Sequence, residues 1–138
     1  MSDTIQDVVA NIQTTIDALS GVRSAPNYPP NQISTSLTAI TYPASGVIGA
    51  QSSGWMKELH TVNIDLITPV QDLTRDLTLL NPFLRSIPNA LIKAPTFGGN
   101  AETFDSVSYS YIVIEDGGIQ YRGYRFVISG IKITPVTT

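Results

Sequence analysis

From Leu59 to Leu66 the chain alternates, with Val62, Ile64 and Leu66 set against Thr61, Asn63 and Asp65. A period of two predicts a strand with one buried face. The period then lengthens. Val70, Leu73, Leu77, Leu80, Leu84, Ile87 and Leu91 recur at spacings of three and four, so one apolar stripe runs along a helical stretch. Thr68-Pro69-Val70-Gln71 has the form of a capping box: a hydroxyl for an orphan N–H, a proline where no N–H is needed, and a glutamine three residues on to reach back. A helix is therefore expected from Pro69 to about Leu80. Pro82 and Pro88 interrupt the stripe, each lacking a donor and crowding the preceding turn. A second helix is expected to start at Asn81-Pro82 and to kink or split at Pro88.

Before this stretch, Ile5, Val8, Val9, Ile12, Ile16 and Leu19 form one face of an amphipathic helix, with Ser2 and Asp3 as cap candidates and Gly21 as its C′ residue. Residues 23–36, with three prolines, are expected to lie extended over the surface. Leu37–Tyr42 reads as a strand that Pro43 ends or marks as an edge. Ala44–Gly54 is glycine- and serine-rich, the most flexible interior stretch: a loop or hairpin tip carrying exposed Val47 and Ile48, with the character of an arm.

After the helices, Ala94–Ala101 is a turn-rich connector in which Gly98-Gly99 permits positive φ. Val107, Tyr109, Tyr111 and Val113 then alternate with Ser108, Ser110, Ile112 and Ile114. Asp116-Gly117-Gly118 separates that run from Ile119–Ile128 and predicts a hairpin, with Gly123 and Gly130 marking a bulge or bend in its second arm. Residues 135–138 read as a frayed tail. These elements give an α+β fold in a single domain over residues 1–138.

Composition narrows the chemistry. Charged residues are 14% of the chain and the net charge is -3, which excludes a generally basic nucleic-acid-binding surface. There are no cysteines, hence no disulfide scaffold, thiolate metal site or cysteine nucleophile. The opening MSDTIQDVVA lacks the basic and apolar regions of a secretory signal, and no segment approaches the roughly 18 apolar residues of a membrane span. An aqueous protein without a membrane partner is expected. Neutral polar groups lose less on desolvation than charged ones, so the surface suits burial against another subunit.

His60 is the sole histidine, at the start of a predicted strand, and reads as structural or surface. No G-x-S-x-G elbow accompanies it. Asp72 and Asp76, four apart with Arg75 between them, have the spacing of a divalent-ion pair. Favourable interaction with the helix dipole and a solvated helix face explain them without a metal. Gly98-Gly99 belongs to no phosphate-binding loop. Tyr109, Tyr111, Tyr121 and Tyr124 have the makings of a stacking platform, but with only Arg122 and Arg125 nearby they read as structural or intersubunit packing. Trp55, beside the flexible stretch, reads as an interface anchor or a latch onto the fold. No catalytic residue, metal ligand or cofactor is expected.

The order of elements resembles the tail terminator, or tail completion, proteins of long-tailed bacteriophages over nearly the whole chain. The features that carry it are the N-terminal helix, Tyr28-Pro29-Pro30, a strand ending in Tyr42-Pro43, the glycine-rich stretch, the strand near His60 and the helices ending in PNALI. Thr96-Phe97-Gly98-Gly99 and Tyr121-Arg122-Gly123-Tyr124-Arg125-Phe126 are the best local matches. The resemblance implies a two-layer domain in which an antiparallel or mixed sheet of about four to five strands packs against the N-terminal helix and a central broken helix. It implies a homo-hexameric ring on the head-proximal end of the tail tube in the virion, assembled in the host cytoplasm. Its partners would be the tail tube protein, a head-completion or connector protein, and viral DNA passing through the lumen without sequence recognition. Val47, Ile48, Trp55, Tyr121, Arg122, Tyr124 and Arg125 are the interface residues expected from flexibility, exposed apolar character and position in the final hairpin. The alternatives are a head–tail joining protein and, from another class, a small ligand-binding module or hydrolase.

Overall fold

The structure, a computed structural model, describes residues 5–19, 37–50, 56–99 and 101–133. Its elements are α1 (Ile5–Asp17), β1 (Thr38–Ala50), β2 (Met56–Pro69), α2 (Leu73–Leu80), α3 (Phe83–Lys93), β3 (Ser106–Asp116) and β4 (Ile119–Ile133). Four strands form one antiparallel sheet in the order β1-β2-β4-β3, with helices on one side of it, the two-layer α+β arrangement. The two long strands β2 and β4 lie in the middle, and β1 and β3 are the edges.

Most of the predicted apolar positions meet in one core, but the central stripe is corrected: Leu73 is exposed at the start of α2, and Phe83, outside the stripe, is buried. Val8, Val9, Ile12 and Ile16 of α1 and Leu80, Phe83, Ile87 and Leu91 of α2 and α3 pack on Val62, Ile64 and Leu66 of β2 and on Phe126, Ile128 and Ile131 of β4. On the opposite side of the sheet Ile40, Ile67 and Tyr121 form a smaller buried cluster with Tyr42, Ile112 and Ile114 against it. The helices lie over β1, β2 and β4 and leave the helix-side face of β3 largely uncovered.

Three sequence expectations are corrected. Pro69 ends β2, paired with Tyr121, instead of opening the helix. Thr68 is buried in the sheet and its hydroxyl caps nothing; Asp72 is the N-cap of α2, its carboxylate accepting from Arg75 N at 3.1 Å. Pro88 lies inside α3 without dividing it. It withdraws a donor from the Leu84 carbonyl, and burial of Ile87 and Leu91 on either side holds the helix together. Residues 45–50 are paired strand, from Ser45↔Thr61 to Ala50↔Met56, after a register irregularity between Pro43 and Ser45. The rest of the expected loop, residues 51–54, lies outside the described residues, as do Trp55, residues 23–36 and the tail 135–138.

The glycines of the turn and of the Gly130 bulge are as expected, and Gly123 is not. Gly117 and Gly118 have φ of 60 and 82, which turns Asp116 back onto Ile119. Gly130, with φ 72, sits in the extra residue that β4 places between Val62↔Ile128 and His60↔Ile131, a β-bulge. Gly123 is in continuous register, and its role is the close approach of two strands. In the connector, Phe97 joins Gly98 and Gly99 at positive φ. Its ring is buried 5.4 Å from that of Phe104, and this packing offsets the strain.

Candidate functional site

The final strand decides what the surface can offer, because successive residues of Tyr121–Phe126 go to opposite faces of the sheet. Arg122 points to the helix side, where its Nε lies 3.0 Å from Oδ2 of Asp76, a carboxylate with no exposed surface. The Nε–H is not aimed at that oxygen, so the contact is charge pairing without an aligned hydrogen bond. Asp76 also accepts from Arg75 Nη1 at 2.6 Å and from the backbone N–H of Gln71 at 3.0 Å. The expected solvated face is thus a buried carboxylate between two guanidinium groups.

Arg125, three residues on, goes to the other side and grips Asp65 with two bonds, Nε to Oδ1 at 2.8 Å and Nη2 to Oδ2 at 3.1 Å. Tyr42 donates its hydroxyl to the same carboxylate at 3.0 Å. Burial raises the Tyr42 pKa from its ordinary value of 10.0, the Asn63 side chain working against it and the Asp65 charge with it. The unfolded chain therefore loses this proton first as pH rises. The resulting stability is full below the unfolded value and is lost as pH climbs through the folded one. Between about pH 9 and about pH 11 the melting temperature is expected to fall less steeply in Tyr42→Phe than in the parent, and equal slopes would remove this linkage.

These contacts settle where the expected interface residues lie. Tyr121 is buried in the smaller cluster and offers no surface, while Arg122 and Arg125 are committed to Asp76 and Asp65. Tyr124 donates to Asn81 Oδ1 at 3.1 Å, which ties β4 to the end of α2. Val47 and Ile48, by contrast, are 71% and 60% exposed on the distal half of β1. His60 lies over Gly46, where a Cβ would come within 2.7 Å of Nδ1, and its Nε2 is 2.6 Å from Glu58 Oε1. It has a structural place in the arm. Glu58, two residues away on the same face, is a partner the sequence reading overlooked.

The sequence also left open which face of β3 would be bare, because VSYSYIVI offers β-favouring side chains to both. The bare one carries Tyr109, Tyr111 and Val113, exposed to 56%, 50% and 52%. Tyr109 and Tyr111 meet the ring of Tyr124 edge-on, at centroid distances of 5.6 and 6.1 Å, which fixes their positions. Among the described residues no group of three or more His, Cys, Asp or Glu side chains is placed to hold a metal ion, and no helix is long and apolar enough to cross a membrane. Leu73, Leu79 and Ile92 on the helices and Leu59 and Ile119 on the strands are exposed too, and the Val47–Ile48 pair and the Tyr109, Tyr111 and Val113 row lie on opposite edges of the sheet. No protein-family model matches the chain, and no curated protein matches it.

Proposed function

We propose that this chain is a non-enzymatic virion assembly protein: a tail terminator that forms a homo-hexameric ring on the head-proximal end of a phage tail tube. The ring ends tube polymerisation and offers its other face to a head-completion or connector protein. The observation that carries the reading is the pair of exposed, uncharged apolar areas, Val47 and Ile48 at the β1 edge and Tyr109, Tyr111 and Val113 at the β3 edge. Unlike surfaces on opposite sides of a molecule support head-to-tail association, which closes as a ring or propagates as a filament. The order of elements resembling tail terminators adds the tube as partner. A net charge of -3 is compatible with DNA sliding through a lumen, since few phosphates would be neutralised.

The test is the mass of the full chain in solution, by light scattering or native mass spectrometry across a range of concentrations, with and without tail tubes. Six-fold rings, or monomers that become six-fold on tube ends, are the expected result. A monomer at every concentration that ignores tubes overturns the reading. Rings that bind portal or connector in place of tube would assign the chain to head–tail joining.

A further inference from the structure

We infer that the apolar patch of Ile40, Ile67 and Tyr121, on the helix-free face of the sheet, is the docking surface for residues 20–36 of the same chain. Ile40, Ile67 and Tyr121 are buried, as are Thr38 and Asp65 beside them, although the helices lie on the other side and no described element packs over this one. Side chains standing off a sheet shield one another only at their flanks, so burial of this kind needs a layer above them. The burial is local. Asn63 and Val127, farther along the same face, are half-buried, and Ser108 and Ser110 are exposed. The covered patch therefore lies at the end of the sheet where β1 begins and β4 leaves its hairpin turn.

Chain length decides which segment can reach it. Residues 51–55 join Ala50 to Met56, and residues 134–138 follow Ile133, the partner of Glu58, so both attach at the other end of the sheet. The strand from Tyr121 to Ile133 measures roughly 40 Å at about 3.3 Å per residue, whereas five residues span at most about 17 Å. Residues 1–4 adjoin α1 in the helix layer and reach about 14 Å, short of the roughly 20 Å between layers on the two faces of a sheet. Residues 20–36 can span up to about 56 Å and lead into Leu37 and Thr38, at the covered end. Their composition fits. Arg23 is the sole charge among them, and Tyr28-Pro29-Pro30 and Ile33 offer apolar surface. Prolines lack the N–H that a strand ladder needs, so the segment suits a sheet face and not a sheet edge. Tyr42 and Tyr121 give that face the aromatic lining on which proline-rich segments dock.

Hydroxyl-radical footprinting of the full chain, read by mass spectrometry, tests this across a range of concentrations. In the parent, Tyr121, 3% exposed, should resist oxidation while Tyr109, 56% exposed, is modified. Replacing residues 24–33 by a Gly-Ser chain of equal length should raise oxidation of Tyr121 to the level of Tyr109 and leave Phe126, in the helix-side core, protected. If Phe126 loses protection as well, the milder variant Tyr28→Ser with Pro29→Ser and Pro30→Ser decides, and it should raise Tyr121 above the parent with Phe126 unchanged. Ready oxidation of Tyr121 in the parent, or protection that survives in both variants, overturns the assignment. So does protection that dilution of the parent removes, which would put a second copy on this face.

Discussion

Gly123→Ala is expected to lower the melting temperature by about 10 °C or more, corresponding to about 3 kcal/mol or more. Gly123 lies in the middle of β4 and pairs with Ile67 of β2 on one side and Ile112 of β3 on the other. A Cβ there would stand well inside van der Waals contact of the Leu66 carbonyl oxygen, 2.8 Å from Leu66 C and 2.9 Å from Ile67 Cα. All three are backbone atoms, so no side-chain rotation makes room. The two central strands must separate, and that loosens the ladder which holds β3 in place. Gly118 is the control: its φ of 82 strains any L side chain, but nothing lies within 4 Å of a Cβ. Gly118→Ala should cost about 1–2 kcal/mol. Thermal melts of both variants by circular dichroism check this, and a Gly123→Ala melt no lower than that of Gly118→Ala would overturn the steric account.

The difference between Gly123 and Gly130 shows where the sequence stops being legible. A glycine in a strand signals either a bulge or a close approach of another backbone, and local pattern does not choose between them. The choice depends on which strand lies alongside, which is a tertiary fact. Periodicity, being local, served well for α1 and β2, whose core residues are those at helical or alternating positions, and less well for the central stripe, where Leu73 is exposed and Phe83 is buried beside a partly buried Leu84. The capping box failed because Thr68 and Pro69 lie in a strand held on both edges, by β1 and by β4, while Asp72, four residues on, supplies the same chemistry.

The candidate site was legible in part for a similar reason. Val47 and Ile48 stood out through their glycine-rich surroundings. Arginine and tyrosine in YRGYRF have the composition of an interface, and only the buried acids from α2 and β2 show that they serve the fold. The feature that carries the resemblance thus turns out to position elements in this chain, and the exposed surface falls to the strand beside it.

The clearest measure of that division is the pair Asp76 and Arg122. Asp76→Ala should cost about 3–5 kcal/mol, because it leaves the guanidinium of Arg122, whose side chain is only 14% exposed, with a long bond to the Tyr111 hydroxyl and no counter-charge, and leaves the Gln71 N–H without its acceptor. Arg75→Ala should cost at most about 1 kcal/mol, since that arginine is largely in water and screened. The energetic weight lies with the partner on β4. A charge pair out of water loses much of its attraction to desolvation, so replacing both members by apolar groups, Asp76→Leu with Arg122→Met, should restore most of the stability lost in the single variant. Denaturant unfolding of the single and double variants measures this coupling. Costs that simply add would mean the two side chains act separately, and a mild Asp76→Ala would mean that water reaches the site. If the coupling is found, Arg122 anchors α2 to the sheet through Asp76, and its Nη1, 3.4 Å from the Tyr111 hydroxyl, carries that anchor on to β3.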